Sequence, residues 1–278
     1  MDEEPARGVA IAVAPNGGTK TKAHHPGLPL GPAELARTAT ECAEAGAGMI
    51  HVHVRKADGS HLLDAEAYAE VIAAIEGAVG SRLVVQITSE ALGLYSPAQQ
   101  IAVVKALKPE AVSLALRELV PDPSHEAGFA DLLQWMKRHE VMPQIILYDP
   151  GEVLRLAELI GRGLVPWDHI PVLFVLGRYS AGQISVPTDL LPFLAPGIPR
   201  FRHWSVCAFG RHETACVATA ALLGGHIRVG FENNLFLPDG RIAESNAALV
   251  RSAATAVGSL GFETLTASAI RSLPMVGA

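Results

Sequence analysis

Short runs of apolar, largely β-branched residues recur along the chain, separated by longer stretches in which apolar positions return every three or four residues. The short runs are VAIAVAP (9–15), MIHVHVR (49–55), RLVVQIT (82–88), AVSLALR (111–117), MPQIILY (142–148), IPVLFVLG (170–177), HWSVCAFG (203–210) and HIRVGF (226–231). Strands apolar on both faces belong in a parallel sheet covered by helices. The stretches between them, such as 32–47, 64–80 and 151–163, carry helical periodicity and supply the crossover connections. Eight such units are the number that closes a (β/α)8 TIM barrel. The segment 245–272 adds one or two helices, and no linker or low-complexity tract cuts the chain. Residues 1–278 are therefore expected to form one α/β barrel domain with an extra C-terminal helix. An open dinucleotide-binding sheet fits less well, because APNGG after the first run leads into a long loop rather than a glycine-rich turn opening a helix.

Composition narrows the function. Hydrophobic residues make up 49% of the chain and charged residues 18%, so a large core is available and further surface is expected to be buried in a homo-oligomer. The net charge is −6, and without a Lys/Arg run nucleic acid is excluded as a partner. No apolar run approaches the roughly 18 residues of a membrane span. The opening MDEEPARG lacks the basic and apolar regions of a signal peptide. The expectation is a cytoplasmic protein with neither membrane nor nucleic-acid partners. Cys42, Cys207 and Cys216 are widely spaced in apolar surroundings and are expected to be buried and free.

Catalytic groups in a barrel project from the C-terminal ends of the strands. His51 and His53 are two residues apart, hence on one face of the second strand, with Arg55 next along. Two imidazoles leave a zinc ion short of ligands, since catalytic zinc takes three protein donors and keeps one position open. Barrel closure sets strands eight and two on either side of strand one, which makes Glu232, just after strand eight, the third candidate. On spacing alone, the same histidines could instead donate to backbone or pair with carboxylates. The other nine histidines (24, 25, 61, 125, 139, 169, 203, 212 and 226) are expected on the surface or in loops. Arg228, four residues before Glu232, shares its face; a buried cation there needs an anion, either as a barrel salt bridge or in support of a substrate carboxylate. Arg55 and Arg117 admit the same two readings. Thr88 and Ser113, near the ends of strands three and four, are candidates to hydrogen-bond a substrate. The AFGRHE turn offers Gly210 and Arg211 for a phosphate, and Asn16 lies in a glycine-rich loop suited to close approach of a ligand.

Taken together, APNGG, HPGLPLGPAELA, CAEAGAGMIHVHVRKADGSHLLD, KPEAVSLAL, FVLG, GRHE and GGHIRVGFENNLFLPDGRIAESNAALV resemble the β-keto acid cleavage enzymes over nearly the whole chain. The resemblance implies a zinc-dependent barrel, a dimer or tetramer, that converts a β-keto acid and acetyl-CoA into acetoacetyl-CoA or a related CoA thioester and a cleaved product. It makes His51, His53 and Glu232 the zinc ligands and Arg228 an orienting arginine, and it places Thr88 where a catalytic serine stands. Three positions depart from the family pattern. An aspartate after the metal-binding glutamate is Asn233 here, which cannot act as a base, so either another group takes the proton, a zinc-bound hydroxide or Glu90, or the reaction differs. A glutamate suited to an amine-bearing substrate is Thr19. Acidic positions on strand five are Gln144 and Ile146. A neutral or anionic keto acid is thus expected, with Arg117 or Arg178 as partner for a distal carboxylate. The alternatives are a metal-dependent aldolase or hydrolase acting without CoA, and a zinc-binding barrel without turnover.

Overall fold

A computed structural model describes residues 8–273. Residues 1–7 of the opening acidic segment lie outside the described residues. Eight parallel strands close a barrel: β1 (Ile11–Val13), β2 (Met49–Val52), β3 (Val84–Thr88), β4 (Ala111–Ala115), β5 (Met142–Leu147), β6 (Val172–Leu176), β7 (Trp204–Ala208) and β8 (His226–Val229). Each strand pairs with its neighbours in sequence, and β8 closes the ring onto β1. The outer ring holds α1 (Pro32–Glu44), α2 (Ala65–Val79), α3 (Pro97–Leu107), α4 (Glu126–Arg138), α5 (Pro150–Gly161), α6 (Glu213–Leu222) and α7 (Asn246–Ser259). A short α8 (Ala267–Arg271) follows. The expected barrel and its extra C-terminal helix are both present.

Local sequence explains where the helices begin. The side chains of Asp64, Ser96, Asp149 and Ser245 accept the backbone N–H groups of Ala67, Gln99, Glu152 and Ala248, each such cap contributing about 1 kcal/mol. Pro97 and Pro150 occupy the first helical position, where a missing N–H costs nothing. Between β6 and β7 the crossover is a 3-10 helix, Pro187–Leu194, rather than an α-helix. Pro192 inside it cannot donate to an α-helical ladder.

The alternation of side chains in the strands builds two cores. Outward-facing Ile50, Val52, Val85, Ile87, Val112 and Leu114 are buried beneath the helices. Inside the barrel the lining is divided. On β4 to β7 it is apolar, with Ala115, Ile146, Leu173, Val175 and Cys207 in one cluster with Phe209. On β2, β3 and β8 it carries the buried His51, Gln86, Thr88 and Arg228. At the N-terminal end, Ala10, Met49, Val84 and Ala111 pack with Ala267 and Ile270 of α8, which plugs the barrel floor. Cys42, Cys207 and Cys216 are free and buried, as expected. Among the described residues no helix is long and apolar enough to cross a membrane.

The run 49–55 is not one strand. After Val52 the chain leaves the barrel, and Val54–Arg55 pairs antiparallel with His61–Leu62. Arg55 explains the departure. Its guanidinium donates to the carbonyls of Asn16, Gly17, Lys20 and Gly59, tying the hairpin to the loop after β1. Of the nine histidines expected on the surface or in loops, His25 and His203 lie in loops but are buried, and His61 is buried in the short strand paired with Val54–Arg55.

Candidate metal centre and active site

His51 and His53 point into the barrel mouth, and Glu232 reaches them from the turn after β8. The two Nε2 atoms are 3.2 Å apart. Glu232 Oε2 lies 3.3 Å from His53 Nε2 and 3.7 Å from His51 Nε2. Donors placed about 2.05 Å from a tetrahedral zinc ion are about 3.3 Å from one another, so this triangle fits one ion with a fourth position left over. The carboxylate adds its own observation: Glu232 Oε2 is buried and has no hydrogen-bond partner. A buried, unpaired carboxylate oxygen facing two imidazole nitrogens suits a cation.

Surrounding residues hold each donor in place. Gln86 Oε1 lies 2.8 Å from His51 Nδ1, so that nitrogen carries the proton and Nε2 keeps its lone pair. Adjacent pairing of β2 and β3 sets His51 opposite Gln86. Asn16 makes a reciprocal pair with the backbone of His53: Nδ2 donates to the carbonyl at 2.9 Å, and Oδ1 accepts the N–H at 3.2 Å. This pair replaces the ladder bonds that His53 gave up on leaving β2. Glu232 is fixed at several atoms. Its N–H donates to Ala14, its carbonyl accepts Lys20 Nζ at 2.5 Å, and its Oε1 accepts Arg228 Nη2 at 2.9 Å. Gly17 sits against it at φ +60°, where a Cβ would come within 2.6 Å of Glu232 Cγ. Beneath the turn, fully buried Glu213 accepts the N–H of Gly230 and the Asn234 amide, both at 3.2 Å.

Electrostatics keep the donors in their ligating forms. Burial pushes His51 down to about 3, reinforced by the Arg228 cation, so its imidazole is neutral near pH 7. Burial alone would raise Glu232, but Arg228 and then His53 overcome it and hold the carboxyl well below the usual range. Glu90 is raised by burial, partly offset by His53. Its Oε2 lies 3.7 Å from His53 Nδ1, and its Oε1 lies 3.6 Å from Arg178 Nη2.

The donors face a cavity of about 380 Å³, also lined by Thr88, Glu90, Ile146, Tyr148, Arg178 and Phe209. These residues lie at or just beyond the C-terminal ends of their strands, the end where barrels carry their chemistry. A larger cavity of about 650 Å³ lies at the opposite end, among Ala10, Met49, Met142 and Ile270. It contains none of the three donors.

The structure brings Thr88, Arg228 and Glu232 to the cavity with both histidines, and leaves other expected residues elsewhere. Ser113 is buried behind Thr88, donating to its Oγ1 at 3.4 Å. Asn233 lies beside Glu232 with its side-chain amide buried and unpartnered. Gly210 has φ +90° and packs against the Gln183 carbonyl, while its N–H is taken by the Asn233 carbonyl at 3.1 Å. Thr19 and Arg211 are exposed. Arg117 is engaged by Glu152 at 2.6 Å and Asp149 at 2.9 Å, with Tyr148 stacked 4.4 Å away. Sequence reasoning missed the roles of Gln86, Tyr148 and Glu213. Gln86, a lone amide set among the apolar Leu83, Val84, Val85 and Ile87, carried the clearest available signal.

Residues 8–274 match the family model described as beta-keto acid cleavage enzyme. The chain is 29% identical over 273 residues to a 3-keto-5-aminohexanoate cleavage enzyme of Fusobacterium nucleatum, covering 95% of this chain and 96% of that protein. It is 25% identical over 270 residues to a 3-oxoadipate:acetyl-CoA acetyltransferase of Cupriavidus necator, covering 95% and 93%. Among solved structures, apo ObcA matches with a TM-score of 0.69 at 17% identity, over 88% of this chain and 65% of the ObcA chain. This chain thus spans less than two thirds of ObcA, and that likeness concerns the fold.

Proposed function

The chain belongs to the β-keto acid cleavage enzyme family, and from that premise we propose that it is a zinc-dependent enzyme exchanging acyl groups between a β-keto acid and acetyl-CoA. The bond between the keto carbon and the carboxymethyl carbon of the keto acid breaks, as does the thioester bond of acetyl-CoA. The keto acid's acyl group forms the new CoA thioester (acetoacetyl-CoA or a related one), and the released acetyl group joins the carboxymethyl fragment as acetoacetate. The observation that carries this reading is the His51, His53 and Glu232 triangle at zinc spacing, with an unpaired carboxylate oxygen, inside the catalytic mouth of the barrel. Acetyl-CoA as co-substrate is supported by the name of the Cupriavidus necator relative.

A zinc ion held by the three donors would supply Lewis-acid polarisation of the keto group. The protein's own residues do the rest. Arg228 grips Glu232 Oε1 and so turns Oε2 toward the imidazoles. Thr88 Oγ1 already accepts from the Glu90 N–H and from Ser113 Oγ, which leaves its own O–H to donate to a substrate oxygen in the cavity. Asn233 has no basic atom, so the proton leaving the substrate goes to Glu90, a carboxylate lining the same cavity. Arg211, exposed on the loop after β7, is assigned to the phosphates of CoA.

The test is thioester formation by zinc-loaded protein given acetyl-CoA and a panel of β-keto acids, read by mass spectrometry. New CoA thioesters are expected only when both substrates are present. Keto acid consumption at the same rate without acetyl-CoA would instead establish an aldolase or hydrolase.

A further inference from the structure

We infer that Arg178 is a specificity-determining residue that selects β-keto acids carrying a second, distal carboxylate. The inference rests on the acyl-exchange reading for the reacting end of the substrate and adds what lies at the other end. Two arginines were candidates for this role, and their surroundings separate them. Arg117 spends its donors on Glu152 and Asp149. Arg178 lines the metal-facing cavity with a side chain only 18% exposed. Among the described residues its guanidinium makes no hydrogen bond. Its one polar contact is Glu90 Oε1 at 3.6 Å, beyond hydrogen-bond reach. Phe209 lies under the guanidinium, 5.3 Å from ring centroid to cation. Glu90 and Phe209 thus fix the cation in place while leaving its fork of N–H donors free for a planar anion.

The division of the barrel lining says which anion. The metal donors, Thr88 and Arg228 occupy the polar half, where the reacting β-keto carboxylate end belongs. Ile146, Val175 and Phe209 on the apolar half offer walls for methylene groups. Arg178 follows β6, at the rim of that apolar half. A chain with an anion at each end and methylenes between matches this sequence of surfaces. Lys20 adds a second positive charge nearby, its Nζ 5.8 Å from the same Phe209 ring. Among the described residues, no acidic side chain other than Glu90 and Glu232 lines the cavity. Phosphate groups of CoA present the same chemistry to a guanidinium. The partly buried position of Arg178, lining the cavity rather than fully exposed like Arg211, favours the carboxylate.

The test is calorimetric binding of glutarate, pentanoate and CoA to the zinc-loaded protein, comparing the natural chain with Arg178→Leu and Arg178→Gln. The natural chain is expected to bind glutarate at least tenfold more tightly than pentanoate, the cost of one charge-assisted hydrogen-bonded pair. Both variants should bring glutarate to the affinity of pentanoate and leave pentanoate within twofold. Arg178→Gln keeps the bulk and polarity of the site if the leucine variant fails to fold. Equal affinities in the natural chain, or equal losses for both acids, would overturn the inference. Unchanged glutarate binding with weakened CoA binding would assign Arg178 to the CoA phosphates. The two readings fail separately. A retained glutarate preference with no thioester from any keto acid sinks acyl exchange alone. Thioester formation that favours neutral over dicarboxylic keto acids sinks the role of Arg178 alone.

Discussion

The hydrogen bond from His51 Nδ1 to Gln86 Oε1, 2.8 Å long and fully buried, makes Gln86→Leu an informative perturbation away from the metal donors themselves. Leucine conserves most of the volume but offers no acceptor. The imidazole then loses the partner that fixes its tautomer and orientation, and its buried N–H is left unsatisfied. Loss of such an outer partner typically costs about 10- to 100-fold in metal affinity, equivalent to roughly 1.4–2.7 kcal/mol. The Gln86 amide also donates to Gln144 Oε1 at 3.2 Å, so a modest fall in stability accompanies the change. Zinc affinity is measured by competition with a chromophoric chelator at fixed pH, with melting curves to establish folding. A zinc dissociation constant at least tenfold higher is expected for Gln86→Leu. A folded variant whose zinc affinity stays within twofold of the natural chain would refute the role assigned to this bond.

Other consequences follow from the same geometry. Asn16→Ala removes both bonds to the His53 backbone and orphans a buried N–H and a buried carbonyl, so a loss on the order of 3 kcal/mol is expected; an unchanged denaturation midpoint would contradict it. Gly17→Ala forces a Cβ toward Glu232 at positive φ and should lower zinc content as well as stability; a variant retaining full zinc would show that Gly17 does not constrain Glu232. Burial raises the Glu213 carboxyl to about 8, above its unfolded value, so the folded state binds the extra proton and stability falls as pH rises between those two values. Between pH 6 and 8 this group should cost on the order of 2 kcal/mol. Glu213→Gln should flatten that part of the pH–stability curve, and an identical slope in both proteins would contradict the assignment.

Much of the architecture was legible in the sequence because it depends on periodicity. Eight apolar runs joined by helical stretches leave few alternatives to a closed parallel barrel, and barrel closure itself brings Glu232 to the histidines. The arginines were harder to read. Arg55, Arg117, Arg178 and Arg228 all stand at or near strand ends, yet Arg55 clamps loop carbonyls, Arg117 is consumed by two carboxylates, and only Arg178 and Arg228 line the cavity. Their fates depend on loop conformation, which no strand or helix period encodes. Asn16 shows the same limit: the residue stood out in its glycine-rich loop, but no period in the sequence reveals that its amide holds the backbone of His53. The burial of His25, His61 and His203 likewise depends on loops folding over the barrel ends.

The central claim is a single ion gripped by one carboxylate and two imidazoles. Elemental analysis of the zinc-loaded natural chain beside His51→Ala, His53→Ala and Glu232→Ala tests it most directly. The account predicts about one zinc per chain for the first, in keeping with a three-donor site, and well below that for each variant that remains folded. Full occupancy in the variants would contradict it.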